Sequence, residues 1–171
     1  MTLSQDLQHS FEVRSSLANV WSFFWDIQAL ARCLSGCENV VAQVEGKSYR
    51  ASIRRKVAVF SIGFDVDIEV IETQPPCSVT LRISGQDKRL RTTMQQQLVA
   101  RLQAINPQVT RVDITTTIHL SGLLASLGKN LVSMQFTQVL DDFAANVGAA
   151  IEARASQAVA SEPQETKSEE G

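Results

Sequence analysis

The longest apolar pattern in the chain runs from Leu123 to Ala153 and repeats at helical spacing. One stripe along it consists of Val132, Phe136, Val139, Leu140, Phe143, Val147 and Ile151. This pattern is typical of an amphipathic helix. A helix of 31 residues would reach roughly 46 Å, so it has to lie along a sheet to bury its stripe.

The first turns of this predicted helix carry a second apolar face. Its members are Leu123, Leu127, Leu131 and Met134. In one interpretation they pack under the short helices near Trp21 and Trp25 or under a neighbouring loop. In the other they form a portal or docking surface that meets a ligand, a partner protein or a membrane surface.

Alternation of apolar and polar residues predicts seven strands before this helix. They lie at about residues 7–13, 40–44, 49–55, 60–70, 79–83, 90–102 and 112–120. Two short helices follow the first strand, and we expect Ser15 or Ser16 to cap one and Asp26 the other. Apolar positions are odd-numbered from Tyr49 to Ile53 and even-numbered from Phe60, so a hairpin turn or bulge is required near residues 56–59.

Short turns between consecutive strands make them antiparallel neighbours. The fold class is therefore α+β, a curved seven-stranded antiparallel sheet wrapped around one long C-terminal helix. We expect this domain to occupy residues 1–154. Residues 155–171 are poor in large apolar side chains and acidic, which is the composition of a disordered tail.

The 171 residues carry a formal net charge of −2; residues 155–171 contain four glutamates and one lysine, which leaves the body close to +1. A neutral body does not favour nucleic-acid binding through a basic surface. No run of 18 apolar residues and no signal pattern is present, so we expect a cytoplasmic protein with at most peripheral membrane contact.

A sheet curved around a helix tends to leave an internal space, and such spaces bind small molecules through apolar walls and a few polar groups. Among the inward-facing polar positions, Thr92, Gln96 and Thr116 lie on neighbouring strands and form the predicted polar part of a ligand site. The apolar residues predicted to line the same site are Met94, Phe64, Val66, Phe136, Leu140 and Phe143.

Other candidate groups point away from catalysis. Arg55 lies where the apolar parity changes. We favour an exposed position in which it belongs to the basic group of Arg50, Arg54 and Lys56, and this group pairs across the hairpin with Asp65, Asp67 and Glu69. The three cysteines and two histidines lack the spacing of a metal site. Phosphate loops, nucleophile elbows and metalloprotease motifs are missing, so we expect neither catalytic residues, nor a metal, nor a cofactor.

Two stretches of the sequence resemble a known family. They are Val20–Trp21 with Asp26 and Leu34–Ser35–Gly36–Cys37, and the segment 120–128 (LSGLLASLG) ahead of Phe136 and Phe143. Over about residues 5–152 the chain resembles the G-subunit family of carbon monoxide dehydrogenase. The resemblance implies a START-type, helix-grip fold of the SRPBCC superfamily. It also implies an accessory protein linked to molybdenum-containing hydroxylases, in their assembly or membrane attachment.

Three functions remain open at this point. The first is non-catalytic binding of an apolar molecule, lipid-like or quinone-like, between sheet and helix. The second is a protein-interaction module for a molybdenum hydroxylase complex. The third is a cyclase or hydrolase, a possibility that rests on fold analogy alone.

Overall fold

The structure is a computed structural model that describes residues 1–161, with side chains as far as Gln157. Its elements, in chain order, are β1 (Thr2–Val13), α1 (Leu17–Trp25), α2 (Ile27–Cys33), β2 (Cys37–Val44), β3 (Ser48–Val57), β4 (Phe60–Gln74), β5 (Ser78–Asp87), β6 (Thr92–Asn106), β7 (Val109–Ser121), a 3₁₀ turn (Leu123–Leu127) and α3 (Lys129–Ser161). The seven strands form one antiparallel sheet in the order β1-β7-β6-β5-β4-β3-β2. The predicted fold class is confirmed.

The parity switch is resolved by a tight hairpin between β3 and β4. Val57 pairs with Phe60, and Ala58 at the turn adopts a positive φ of 56°. The turn therefore forms without glycine or proline. It returns the chain so that apolar side chains of both strands face the same side of the sheet, as the prediction of a turn near residues 56–59 requires.

The two short helices have the expected caps. The Ser16 hydroxyl accepts a hydrogen bond from the backbone N–H of Asn19, and the Asp26 carboxylate accepts one from Ala29. Asp26 also pairs with Arg154 near the end of α3. The Arg154 hydrogen bond, together with the Ala29 N–H, lowers the pKa of Asp26. The contact fastens the C-terminal part of α3 to the junction of α1 and α2.

The long helix differs from its predicted bounds at both ends. It begins at Lys129, because the chain passes through Gly122 and Gly128 with φ of 99° and 90°, and only a 3₁₀ turn forms between these glycines. It continues to Ser161, beyond the expected domain end at residue 154. The alanine-rich segment 153–160 has high helix propensity. Residues 162–171 of the predicted tail lie outside the described residues.

The interior contains two apolar clusters that share α3. The packed cluster lies against α1, α2 and the C-terminal half of α3, and its buried residues include Val13, Val20, Phe23, Phe24, Val112, Phe143, Val147 and Ile151. The cavity cluster lies against the 3₁₀ turn and the N-terminal half of α3, and its buried residues are Leu3, Ala51, Ile62, Phe64, Val66, Met94, Leu120, Leu124 and Ala125.

Candidate ligand-binding site

A cavity of about 330 Å³ lies between the inner face of the sheet and the first half of α3. Strands β3 to β7 and β1 form one wall, and α3 with the 3₁₀ turn forms the other. Its lining residues are Leu7, Leu34, Ser35, Cys37, Ala51, Ile53, Arg55, Val57, Ile62, Phe64, Val66, Ile68, Ile83, Met94, Gln96, Leu98, Ile118, Leu120, Leu124, Leu127, Leu131, Val132, Gln135, Phe136, Val139 and Leu140.

Almost all of these side chains are apolar, and few polar groups interrupt the wall. Among the described lining residues only Ser35 is exposed, so the cavity meets solvent beside the loop between α2 and β2. None of the described lining side chains is a carboxylate, an imidazole or a lysine. The site can therefore bury an apolar molecule, and its polar contacts are limited to Ser35, Cys37, Arg55, Gln96 and Gln135.

Arg55 lies at the mouth of the cavity. One terminal nitrogen, Nη1, donates a hydrogen bond to the Ser35 carbonyl at 3.4 Å, whereas Nε is buried without a partner. Gly36 holds this loop against β3, because a side chain there would meet the Arg54 carbonyl at 2.1 Å, and its φ is 85°. The Gly36 carbonyl accepts from the Arg54 N–H at 2.8 Å. The Leu34–Cys37 segment therefore fixes the position of Arg55.

The expected exposed position of Arg55 is wrong. The cross-strand pair that forms is Arg50 with Asp67, at 2.9 Å. Arg54 pairs instead with Glu38 at 3.6 Å. Arg55 keeps the inward parity of Ala51, because β3 stays in register with β4 as far as the hairpin and no bulge turns its side chain outward.

Six of the nine predicted ligand-contacting residues line the cavity, namely Met94, Gln96, Phe64, Val66, Phe136 and Leu140. Thr92, Thr116 and Phe143 do not. Phe143 lies further along α3 in the packed cluster, where its ring meets those of Phe11 and Phe24. The helical stripe places Phe136, Leu140 and Phe143 on one face, but the cavity ends before the stripe does.

The two threonines face inward as predicted, but their hydroxyls bind the backbone. Thr92 Oγ1 donates to the Leu90 carbonyl at 3.2 Å and accepts from the Leu124 N–H at 3.3 Å, so it holds the start of the 3₁₀ turn against β6. Thr116 Oγ1 donates to the Gln97 carbonyl at 2.9 Å. Side chains that satisfy backbone groups in this way stabilise the fold and are not free to orient a ligand.

The predicted portal residues separate into two pairs. Leu127 and Leu131 line the cavity, whereas Leu123 and Met134 are 39% and 58% exposed. The four do not form one helical face, because the chain turns at Gly128 between the 3₁₀ turn and α3. The cavity wall therefore explains two of the four residues of the second apolar face, and the other two remain exposed.

Four polar lining residues were not predicted as part of the site, namely Ser35, Cys37, Arg55 and Gln135. Gln135 lies on the cavity side of α3 with its Oε1 buried and without a partner, and Arg55 was expected at the surface. A signal for Gln135 exists in the sequence. Gln135 stands four residues after Leu131 and four before Val139, so it lies on an otherwise apolar face of the helix.

A histidine contact also joins the sheet to the helix. His9 Nε2 lies 3.1 Å from the Asp141 carboxylate, although the two residues are far apart in sequence. The contact lies beyond the cavity, where β1 crosses α3. Local spacing gives no sign of this carboxylate neighbour, because the contact depends on tertiary packing.

The three cysteines are free thiols at different depths. Cys37 lines the cavity, and burial, with a smaller contribution from Glu38, raises the pKa of its thiol. Burial also raises the pKa of Cys33. Residues 1–161 contain no cluster of three or more metal-binding side chains. Among the helices in this range, none combines the length and apolar character that crossing a membrane requires.

An antiparallel sheet curved around a long C-terminal helix, with a cavity between them, defines the START-type helix-grip class. Residues 10–152 match the family described as the G subunit of carbon monoxide dehydrogenase (CoxG). The chain belongs to this family, and the resemblance seen in the sequence is confirmed.

Solved structures with similar folds come from several organisms. A conserved protein from Geobacillus kaustophilus has a TM-score of 0.81 and 23% identity, over 87% of this chain and 96% of that one. A START superfamily protein from Mycobacterium smegmatis has a TM-score of 0.69 and 12% identity, over 87% and 98%. The Zhui aromatase/cyclase from Streptomyces sp. R1128 has a TM-score of 0.59 and 14% identity, over 92% and 96%. A search of curated proteins found no significant match.

Proposed function

We propose that the protein binds an apolar small molecule, lipid-like or quinone-like, in the cavity between the sheet and α3, without catalysing its conversion. The observation that carries this proposal is the cavity of about 330 Å³ with its nearly continuous apolar wall. Burial of apolar ligand surface would supply about 25 cal/mol per Å² of favourable free energy.

The size of the cavity limits the ligand. Pockets for small molecules usually measure roughly 300–1,000 Å³, and this one lies at the lower end of that range. A single slender chain or a small ring system fits such a volume, whereas a two-chain lipid does not. The ligand is thus expected to be one chain or one ring system.

The composition of the wall favours binding over catalysis. General acid–base chemistry needs a positioned group that can exchange a proton, most often an imidazole or a carboxylate. In the described part of the chain, neither type lines this cavity. The Cys37 thiol has a raised pKa, which reduces its reactive thiolate form. An aromatase/cyclase has a similar fold, but the residues found here support a binding role.

The family description suggests a partner. Because the chain belongs to the CoxG family of carbon monoxide dehydrogenase, we infer that it serves as an accessory protein of a related molybdenum hydroxylase complex. The exposed apolar residues Leu123 and Met134 are the part of the predicted docking set that remains available for such a contact. Co-purification with the enzyme from the native source tests this inference, and a complex unaffected by Leu123→Glu with Met134→Glu excludes that contact.

A direct test of the binding proposal combines two measurements. Native mass spectrometry of freshly purified protein should show an added mass that organic solvent removes. The affinity of the protein for an apolar fluorescent dye should then be about tenfold or more weaker in Val139→Phe, because the larger side chain occupies part of the cavity. A protein that is always empty and binds no dye contradicts the proposal.

The control is Val99→Phe. Val99 is half-buried like Val139, but it borders a groove on the other face of the sheet. It therefore receives the same increase in side-chain volume away from the cavity. Equal loss of dye binding in both variants would show that the dye does not report on the cavity.

A further inference from the structure

Arg55 carries an unbalanced charge at the mouth of the cavity. It forms no ion pair with any carboxylate in the part of the chain that the structure describes, and its buried Nε has no hydrogen-bond partner. The single bond from Nη1 to the Ser35 carbonyl, at 3.4 Å, uses one of its five N–H donors. Arg55 as a whole is half-buried, but its buried Nε–H is a donor that lacks an acceptor, and an anion at the mouth would supply one.

The surroundings of Arg55 strengthen this view. On its outer side lies a groove whose charged residues are Arg54, Lys56, Asp65, Asp87 and Arg89. Both aspartates in that groove are already bonded, Asp65 to the Ser52 hydroxyl and Asp87 to the N–H groups of Gly63 and Leu90. Neither acid forms an ion pair with Arg55, and the groove places three further basic side chains beside two acidic ones, so its lining carries a net positive charge.

Strand register shows how far the cavity extends from Arg55. Arg55 pairs with Ile62 on β4, and six residues earlier on β3 Tyr49 pairs with Ile68. This row of paired residues continues across the sheet from Ile68 to Ile83 on β5 and to Gln96 on β6. Six residues of strand span about 20 Å. The lining therefore extends from a guanidinium at one end to an amide about 20 Å along the strands.

Two glutamines lie in the walls toward the far end of the cavity, and the lining continues one row beyond Gln96, to Leu98 and Leu7. Gln96 lies four residues before Ala100, whose row reaches His9 through Ile114, and His9 contacts Asp141. Gln135 lies six residues before Asp141, or about 9 Å along the helix axis. Gln96 lies about 13 Å before that row along β6, so both glutamines lie on the Arg55 side of the His9–Asp141 contact, on opposite walls. Between the two glutamines and Arg55 the lining side chains are apolar, apart from Ser35 and Cys37 near the mouth.

We propose that Arg55 is an anion-binding residue and that the ligand is a slender amphiphile with one carboxylate. This inference rests on the proposed binding function and names its ligand class. The guanidinium presents Nε–H and a terminal N–H in the fork that matches two carboxylate oxygens. The apolar chain lies in the cavity, and the carboxylate remains at the mouth beside Ser35. A neutral apolar ligand would leave Nε unpaired.

The test compares two probes that differ only in the head group, decanoate and decan-1-ol. Isothermal titration calorimetry at pH 7 measures the affinity of each for the unmodified protein. We expect decanoate to bind about tenfold tighter or more, because hydrogen bonds to charged groups are the stronger ones. Arg55→Gln should remove this preference, because it weakens the binding of decanoate far more than that of decan-1-ol.

Arg54→Gln provides a matched control. It removes a neighbouring positive charge on the same strand, but Arg54 is exposed and pairs with Glu38. Its affinity for decanoate should stay within about twofold of the unmodified protein, since exposed charges are screened. Arg55→Lys, which keeps the charge without the fork, should retain part of the preference.

The outcomes separate this inference from the proposed function. If decan-1-ol binds as tightly as decanoate, or if Arg55→Gln keeps the preference, the carboxylate assignment is wrong and the binding function stands. If neither probe binds, both are wrong. Should Arg55→Gln fail to fold, the comparison of the two probes on the unmodified protein still decides the question.

Discussion

The two ends of α3 face interiors of different kinds. Its C-terminal half meets α1, α2 and the sheet in the packed cluster, where aromatic rings fill the space between the layers. Phe143 contacts Phe11 edge-on at 6.2 Å between ring centroids and Phe24 at 6.4 Å. Its N-terminal half meets the sheet across the cavity, where the buried side chains are mainly aliphatic.

The difference arises because α1 and α2 cover only the packed cluster, where aromatic rings add volume. Helices α1 and α2 supply Val20, Phe23 and Phe24 to the packed cluster. At the other end, Gly85 faces Val66 across the β4–β5 pair and adds no side chain to the wall. One amphipathic stripe can therefore stabilise the fold along one half and leave room for a ligand along the other.

The sharpest test of this comparison replaces one phenylalanine in each half. Phe143→Ala should lower the free energy of unfolding by about 3–5 kcal/mol, because it opens a void in a packed region. Phe136→Ala should cost roughly half as much or less, since Phe136 is only partly buried and already borders a cavity. Chemical denaturation of both variants measures the difference, and equal losses would show that the two halves are packed alike.

A second test concerns the buried carboxylate of Asp87, which joins β4 to the turn between β5 and β6 through hydrogen bonds. Asp87 is 4% exposed, and its carboxylate accepts from the N–H groups of Gly63 at 2.8 Å and Leu90 at 3.1 Å. Burial is the largest single influence and would raise the pKa of Asp87, but these hydrogen bonds, together with the charge and backbone N–H of Arg89, outweigh it and the pKa is lowered. Asp87→Ala should therefore cost about 1–3 kcal/mol at pH 7.

The pH dependence of Asp87 follows from the sign of this shift. Because the folded pKa lies below the ordinary value of 3.8, the stabilisation is complete above that value. It is lost as the pH falls through the folded pKa. Denaturation at several pH values should show the gap between Asp87→Ala and the unmodified protein narrowing below about pH 4. A gap that stays constant down to about pH 2 would contradict this assignment.

The smallest change in stability is expected from a substitution near the C-terminal end of α3. Arg154 pairs with Asp26 and its guanidinium carbon lies 4.8 Å from the centroid of the Phe23 ring. Both charged side chains are nearly half exposed, so Arg154→Ala should cost only about 0.2–1 kcal/mol at pH 7. The pKa of Asp26 is lowered chiefly by this pair. Thermal unfolding at low salt should show the difference between Arg154→Ala and the unmodified protein shrinking as the pH falls below about 4. At pH 7 the same difference should shrink when the salt concentration is raised.

Much of the fold follows from periodicity. The parity switch between Ile53 and Phe60 requires the β3–β4 hairpin, and the capping residues mark the starts of α1 and α2. These features depend on neighbours in the sequence. The start of α3 does not follow in the same way, because the positive φ of Gly122 and Gly128 interrupts a pattern that otherwise continues without a break.

The site was less predictable because periodicity identifies a face and not the environment of a polar group. Thr92 and Gln96 share one inward face of β6, yet Thr92 binds the backbone of the 3₁₀ turn while Gln96 borders the cavity. In the sequence, Arg55 resembles an ordinary surface cation beside Arg54 and Lys56. Only the three-dimensional structure shows that a carboxylate partner is missing beside it in the described residues.

The close approach of Gly36 to β3 restricts how relatives with this architecture can diversify. Any side chain at this position would collide with the Arg54 carbonyl and displace the edge of the sheet that carries Arg55. The neighbours Ser35 and Cys37 border the cavity without that constraint. Ligand preference can thus change through positions 35 and 37 while the frame of the entrance is preserved.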